Sequence, residues 1–186
     1  MKILVFAASL RKASFNRKLA MQVTEILKTI SGIEIDHADY LDFEMPIYNG
    51  DVEESTGVPA GAKELVRRVQ AAQAIIISTP EYNGSIPGTL KNAIDWASRI
   101  KPNPFQGKPL LLVGASPGGL GAVRGLWHTR VPFEVLGCYV YPEMFGLSAA
   151  HEAFDENSKL KDPKKFDQLN KLIQSYMGLL NKTTKP

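Results

Sequence analysis

Three short, almost unbroken apolar runs constrain this 186-residue chain more than any other feature: residues 2–8, 74–79 and 109–114. Each is too short for a buried helix and lacks the polar–apolar alternation of a half-exposed strand. Such runs are what a strand buried on both faces requires, and parallel sheets covered by helices on each side consist of them. Between and after the runs, apolar residues recur at helical spacing. Leu19, Val23, Ile26, Leu27 and Ile30 precede a Ser31-Gly32 stop. Leu65, Val66 and Val69 follow Pro59, a residue suited to a first helical position. Leu90, Ala93, Ile94 and Ala97 follow Gly88, then come Val123, Trp127 and Val131, and finally Phe166, Leu169, Ile173, Tyr176 and Leu180. Residues 33–38 alternate and read as a second strand, and residues 136–140 as a fifth. Five strands therefore alternate with five helices, and right-handed crossovers place helices on both faces. The expected fold is α/β, a single domain over residues 1–186. It is a doubly wound three-layer sandwich around a five-stranded parallel sheet in the order 2-1-3-4-5, with residues 181–186 as a frayed polar tail. The segment 41–59, with Met45-Pro46 and Asn49-Gly50, is long enough to suggest a functional or mobile connection.

The composition removes several classes of function. A net charge of +3 with no dense basic run fits a small-molecule protein rather than one that binds nucleic acid. The single cysteine, Cys138, excludes an intrachain disulfide and lies in an apolar run as a buried structural thiol. The apolar start meets Arg11 and Lys12 immediately and has no small-residue cleavage site, so it reads as a strand, not a signal peptide. No run approaches the ~18 residues needed to span a bilayer, and the cytoplasm is the expected location. His37, His128 and His151 are far apart with no ligand-spaced cluster, so no metal site is expected.

The chemistry concentrates in loops after the expected strands one, three and four, where ligands sit in open α/β sheets. After strand one, Ser9, Arg11, Ser14 and Asn16 bring hydroxyls, a guanidinium and an amide to a helix N-terminus, a setting that favours an anion. The loop has neither the Walker pattern nor the dinucleotide glycine spacing. After strand three, residues 80–96 open with Pro80, Glu81, Tyr82, Asn83, Gly84 and Ser85. This segment offers an aromatic face, exposed backbone N–H groups and a glycine free to adopt positive φ, which suits a planar heterocycle with a polar rim. Ser116 and Gly118 lie in the loop after strand four, which would close the other side.

Residues 9–16 together with residues 80–96 resemble the NADPH-dependent FMN reductase family, the flavodoxin-like group of NAD(P)H:quinone, azo-dye and chromate reductases; the likeness spans about residues 2–150. By that resemblance Ser9, Arg11, Ser14, Phe15 and Asn16 would surround the FMN phosphate. Pro80, Glu81, Tyr82, Asn83 and Ser85 would line the isoalloxazine, with Ser116 and Gly118 nearby. The backbone around Asn83 and Gly84 would stabilise charge on the reduced ring, and no side chain is expected to be catalytic. One departure is Ala8, where the family carries glycine. The resemblance implies a ping-pong reductase. NADPH or NADH is the donor, and a quinone, azo compound, flavin or metal oxyanion is the acceptor. It also implies a homodimer or homotetramer, with Arg124, Trp127 and Glu143 as interface candidates. The rival readings are a flavodoxin-type electron carrier without turnover and a flavin-free module of the same fold.

Overall fold

The computed structural model describes residues 1–183. At the centre of the sheet lie β1 (Lys2–Ala7), β3 (Ala74–Ser78) and β4 (Pro109–Ala115), almost wholly buried, as their uninterrupted apolar character requires. All pairs are parallel, with Val5 opposite Ile76 and Ile76 opposite Leu111. β2 (Glu34–Ala38) flanks β1, β5 (Tyr139–Val140) flanks β4, and the order is β2-β1-β3-β4-β5, as expected from the alternation of elements.

The fifth strand departs from expectation. Residues 136–138 are not extended, because Leu136 caps a helix and Gly137 turns the chain at φ 82°. The ladder begins at β5 (Tyr139–Val140) and resumes at β6 (Phe145–Leu147), both parallel to β4. Pro142 lies in the gap between them and has no N–H to offer. The Arg130 guanidinium donates to the carbonyls of Tyr141 (2.8 Å) and Val140 (3.3 Å) there.

Strand periodicity sends alternate side chains to opposite layers. Ile3, Val5, Ile76, Leu111 and Val113 meet α1 (Phe15–Lys28) and the last helix, α6 (Pro163–Thr183). Leu4, Phe6, Ile75, Ile77, Leu110 and Leu112 meet α3 (Ala60–Ala71), α4 (Gly88–Ala97) and α5 (Val123–Val135). Burying Leu169, Ile173 and Leu180 of α6 contributes about 1.5–3 kcal/mol each. α6 continues through residue 183, so residues 181–183 of the expected frayed tail are helical; residues 184–186 lie outside the described residues.

Besides β6, two helical elements were not foreseen, a 3-10 turn at Tyr40–Phe43 and the short α2 (Gly50–Thr56). Both lie in the connection before α3, which is strapped along α4. Trp96 Nε1 and Asn92 Nδ2 donate to the Pro46 carbonyl at 2.8 and 2.9 Å, and Arg99 Nε donates to Glu53 at 2.8 Å. α5 turns Leu126, Thr129 and Phe133 inward, while Trp127 and Val131 of the expected apolar stripe are more than half exposed. Cys138 is buried, its thiol donates to the Phe105 carbonyl, and desolvation pushes its pKa up to about 12.

Candidate functional site

The loop after β1 begins with a tight turn in which the Ser9 N–H donates to the Ala7 carbonyl at 2.7 Å. Ser9 is 3% exposed, yet its hydroxyl has no hydrogen-bond partner among the described residues. Ser14 caps α1, its Oγ accepting from the Asn16 N–H at 3.2 Å. The backbone N–H groups of Leu10, Lys12 and Ala13 have no acceptor among the described residues, and the first turn of α1 has no acidic residue. Arg11 is exposed and takes part in none of the ion pairs among the described residues. Several donors and two cations, Arg11 and Lys12, are thus unpaired among the described residues around a helix N-terminus, the electrostatic setting for an anion. The methyl of Ala8 does not crowd this loop: it is buried in the layer beneath α3–α5.

Asn16 has a different role. Its side chain is buried, donates to the Ala115 carbonyl, and accepts from the Ala115 N–H and the Ser78 hydroxyl, each at 2.9 Å. One amide therefore fastens the start of α1 to the ends of β3 and β4.

After β3, Tyr82 and Ser85 exchange backbone hydrogen bonds of 3.1 and 3.0 Å, with Asn83 at φ 51° and Gly84 at φ 74°. Two central residues of positive φ make this a type I′ turn, the geometry that Asn-Gly favours. The exchange consumes the N–H groups of Tyr82 and Ser85 and leaves those of Asn83 and Gly84 without an acceptor among the described residues. Tyr82 is half exposed. The Glu81 side chain turns away from the mouth of the site to α5, and Ser85 Oγ lies 2.9 Å from His128 Nδ1 on the same helix. After β4, Ser116 Oγ accepts from the Gly118 N–H at 3.1 Å, and the Gly118 carbonyl accepts from Gly121 and Ala149.

The sequence-derived residues converge. Ser9, Arg11, Ser14, Phe15, Asn16, Pro80, Glu81, Tyr82 and Ser116 line one cleft at the C-terminal ends of β1, β3 and β4, joined by Ala115 and Pro117, which sequence reasoning missed. Asn83, Gly84, Ser85 and Gly118 lie on the same loops but outside its walls. The enclosed space is about 100 Å³, enough for a phosphate-sized group, and a larger ligand would extend across the mouth. A roomier, open cleft of about 600 Å³ lies elsewhere, between residues 143–146 and α6. Among the described residues no three His, Cys, Asp or Glu side chains group to hold a metal.

Residues 1–152 match the family model described as NADPH-dependent FMN reductase. The chain belongs to that family. It is 36% identical over 181 residues to an NAD(P)H-dependent FMN reductase of Pseudomonas aeruginosa, covering 96% of this chain and 92% of that one. It is 32% identical over 178 residues to a quinone reductase of Escherichia coli K12, covering 95% and 93%. Among solved structures it resembles FerB, a flavoenzyme NAD(P)H:(acceptor) oxidoreductase of Paracoccus denitrificans. The TM-score is 0.79 at 30% identity, with 97% of each chain covered. Family and fold agree with the sequence reading, apart from the split fifth strand. The unpaired donors of the first loop suit a phosphate monoester, and the unpaired N–H groups of the turn suit the acceptor-rich edge of a flavin, so these residues fit the family's cofactor.

Proposed function

We propose that this chain is an FMN-dependent NAD(P)H oxidoreductase passing reducing equivalents to a small-molecule acceptor. The observation that carries this reading is the convergence of the anion-ready first loop and the Tyr82–Ser85 turn at the ends of β1 and β3. Ser9 Oγ, the free N–H groups of residues 10–13, the start of α1 and Arg11 would hold the phosphate. Tyr82 would cover part of the ring, and the N–H groups of Asn83 and Gly84 would stabilise negative charge at its edge. Bound FMN supplies hydride chemistry in two half-reactions, donor first and acceptor second. The protein residues therefore position and polarise, and none needs to move a proton for the first transfer. The acceptor would be a quinone, azo compound, flavin or metal oxyanion, reached from the open side of the cleft.

The same reading places the enzyme in the cytoplasm as a homodimer or homotetramer; among the described residues no helix is long and apolar enough to cross a membrane. The exposed Trp127 supports an interface along α5. Of the other interface candidates, Arg124 is already bonded to Glu81, and Glu143 lies on the segment between β5 and β6. Titrating apoprotein with FMN and riboflavin tests the site. FMN should bind at least about tenfold tighter, the equivalent of one charge-assisted phosphate contact; equal affinities would remove the phosphate loop from the account.

A further inference from the structure

α5 begins without a cap of its own. Its N-cap is Ala122, in the left-handed region at φ 66° and with no side chain able to accept a hydrogen bond. The first N–H groups of a helix left without acceptors are destabilising. Here the acceptor comes from another loop. Glu81 Oε2 accepts from the N–H groups of Arg124 (3.0 Å) and Gly125 (3.1 Å), while Oε1 accepts from Arg124 Nε (2.8 Å) and Nη2 (2.5 Å). The Glu81 side chain is only 8% exposed. Gly125 makes the approach possible, since a Cβ there would stand 2.9 Å from Glu81 Cα and 3.2 Å from the Pro80 carbonyl. The Arg124 guanidinium also lies beneath the turn, 3.8 Å from where a Gly84 Cβ would be.

We propose that Glu81 and Arg124 form a positioning pair: the Glu81 carboxylate caps α5 from outside that helix, and so fixes the height of the Tyr82–Ser85 turn over the cofactor. The proposal rests on the FMN reading above and adds to it a division of labour. The Glu81 backbone walls the cleft, while its charge works on the far side, neutralised by Arg124. The pair carries no net charge near the ring, so breaking either half leaves a charge of known sign close to the site.

This sign supplies a test that general loosening of the fold would not mimic. Wild type, Glu81→Gln, Arg124→Met and the double variant are reconstituted with FMN, and the dissociation constant and flavin midpoint potential of each are measured. Glu81→Gln leaves the Arg124 cation uncompensated and should raise the potential, because a positive charge favours the electron-rich reduced ring. Arg124→Met leaves a buried carboxylate and should lower it. Each single variant should weaken FMN binding about tenfold, as for loss of a hydrogen bond to a charged group. The double variant should be no weaker than the worse single, since both report one interaction. Shifts of the same sign, additive losses, or unchanged affinity and potential in folded variants would overturn the proposal. Wild-type protein that takes up no FMN would instead overturn the reading on which it rests. Circular dichroism matching wild type qualifies a variant; if Glu81→Gln fails to fold, Arg124→Met, which should lower the potential, is compared with Arg124→Lys, which should restore it, and a potential equally lowered in both would overturn the proposal.

Discussion

Asn16 and Arg11 lie in the same loop region and should respond oppositely to substitution. Asn16→Ala strips partners from the Ala115 N–H, the Ala115 carbonyl and the Ser78 hydroxyl, all in a buried setting. Unsatisfied groups of that kind cost about 1–3 kcal/mol each before relaxation, so a loss of at least about 2 kcal/mol is expected in urea denaturation. Arg11 is exposed and outside the ion-pair network. Arg11→Ala should therefore leave urea stability within about 0.5 kcal/mol of wild type while weakening FMN binding about tenfold. Unchanged FMN affinity in that variant would take Arg11 out of the phosphate site. The sequence showed both residues as polar groups at a helix start, but not which faces inward. That distinction depends on Ser78 and Ala115, far along the chain, and no local pattern encodes it.

At the scale of elements, α5 decides how the site is held. Gly125 packs against the Glu81 backbone, so Gly125→Ala must push the helix and the second loop apart. Overpacking of this kind costs about 1–3 kcal/mol, and FMN affinity should fall with stability. Gly119→Ala, with nothing within 4 Å of its added methyl, is the matched control and should behave as wild type in both assays. The central strands were legible because burial on both faces leaves an unbroken apolar run. β5 lies within the expected strand 136–140 but is shorter, and β6 was missed, because a three-residue strand leaves too little pattern to register. α5 misled for another reason: Val123, Trp127 and Val131 repeat every four residues as a core stripe does, yet Val123 is only half-buried and the other two face outward. The Glu81 cap was invisible because Ala122 gives no capping signal and the acceptor lies 43 residues from Arg124.

Across the whole molecule, His37 and Glu81 are two of the groups that bias stability against acid, and Asp39, Glu53 and Glu64, each hydrogen-bonded to an arginine, act in the same sense near the surface. Burial, then the nearby Arg17, holds the pKa of His37 below 6.5, with Lys28 acting in the same sense and Asp36 and Asp39 opposing. The neutral ring is the folded form, so its contribution is complete above pH 6.5 and is lost as pH falls through the folded pKa. At Glu81, burial favours the protonated acid, but the Gly125 N–H and Arg124 outweigh it and hold the pKa below 4.5. That contribution is complete above pH 4.5 and is lost at lower pH. Melting temperature should therefore decline on the acid side in two stages, and Glu81→Gln should make the lower one shallower while the contributions of Asp39, Glu53 and Glu64 remain; a lower stage as steep as in wild type would contradict the assignment. In the proposed homo-oligomer, the exposed Trp127, Val131 and Val135 make α5 the expected contact. Val131→Glu should shift the protein toward monomer by light scattering.

The cofactor reading meets its most direct test in the absorbance spectrum of protein reconstituted with FMN, followed by anaerobic addition of NADPH. Bands near ~450 and ~375 nm that bleach on mixing and return with a quinone are the predicted result, since the cofactor carries the redox chemistry. Protein that takes up no FMN, or whose bound flavin NADPH leaves oxidised, would contradict the account.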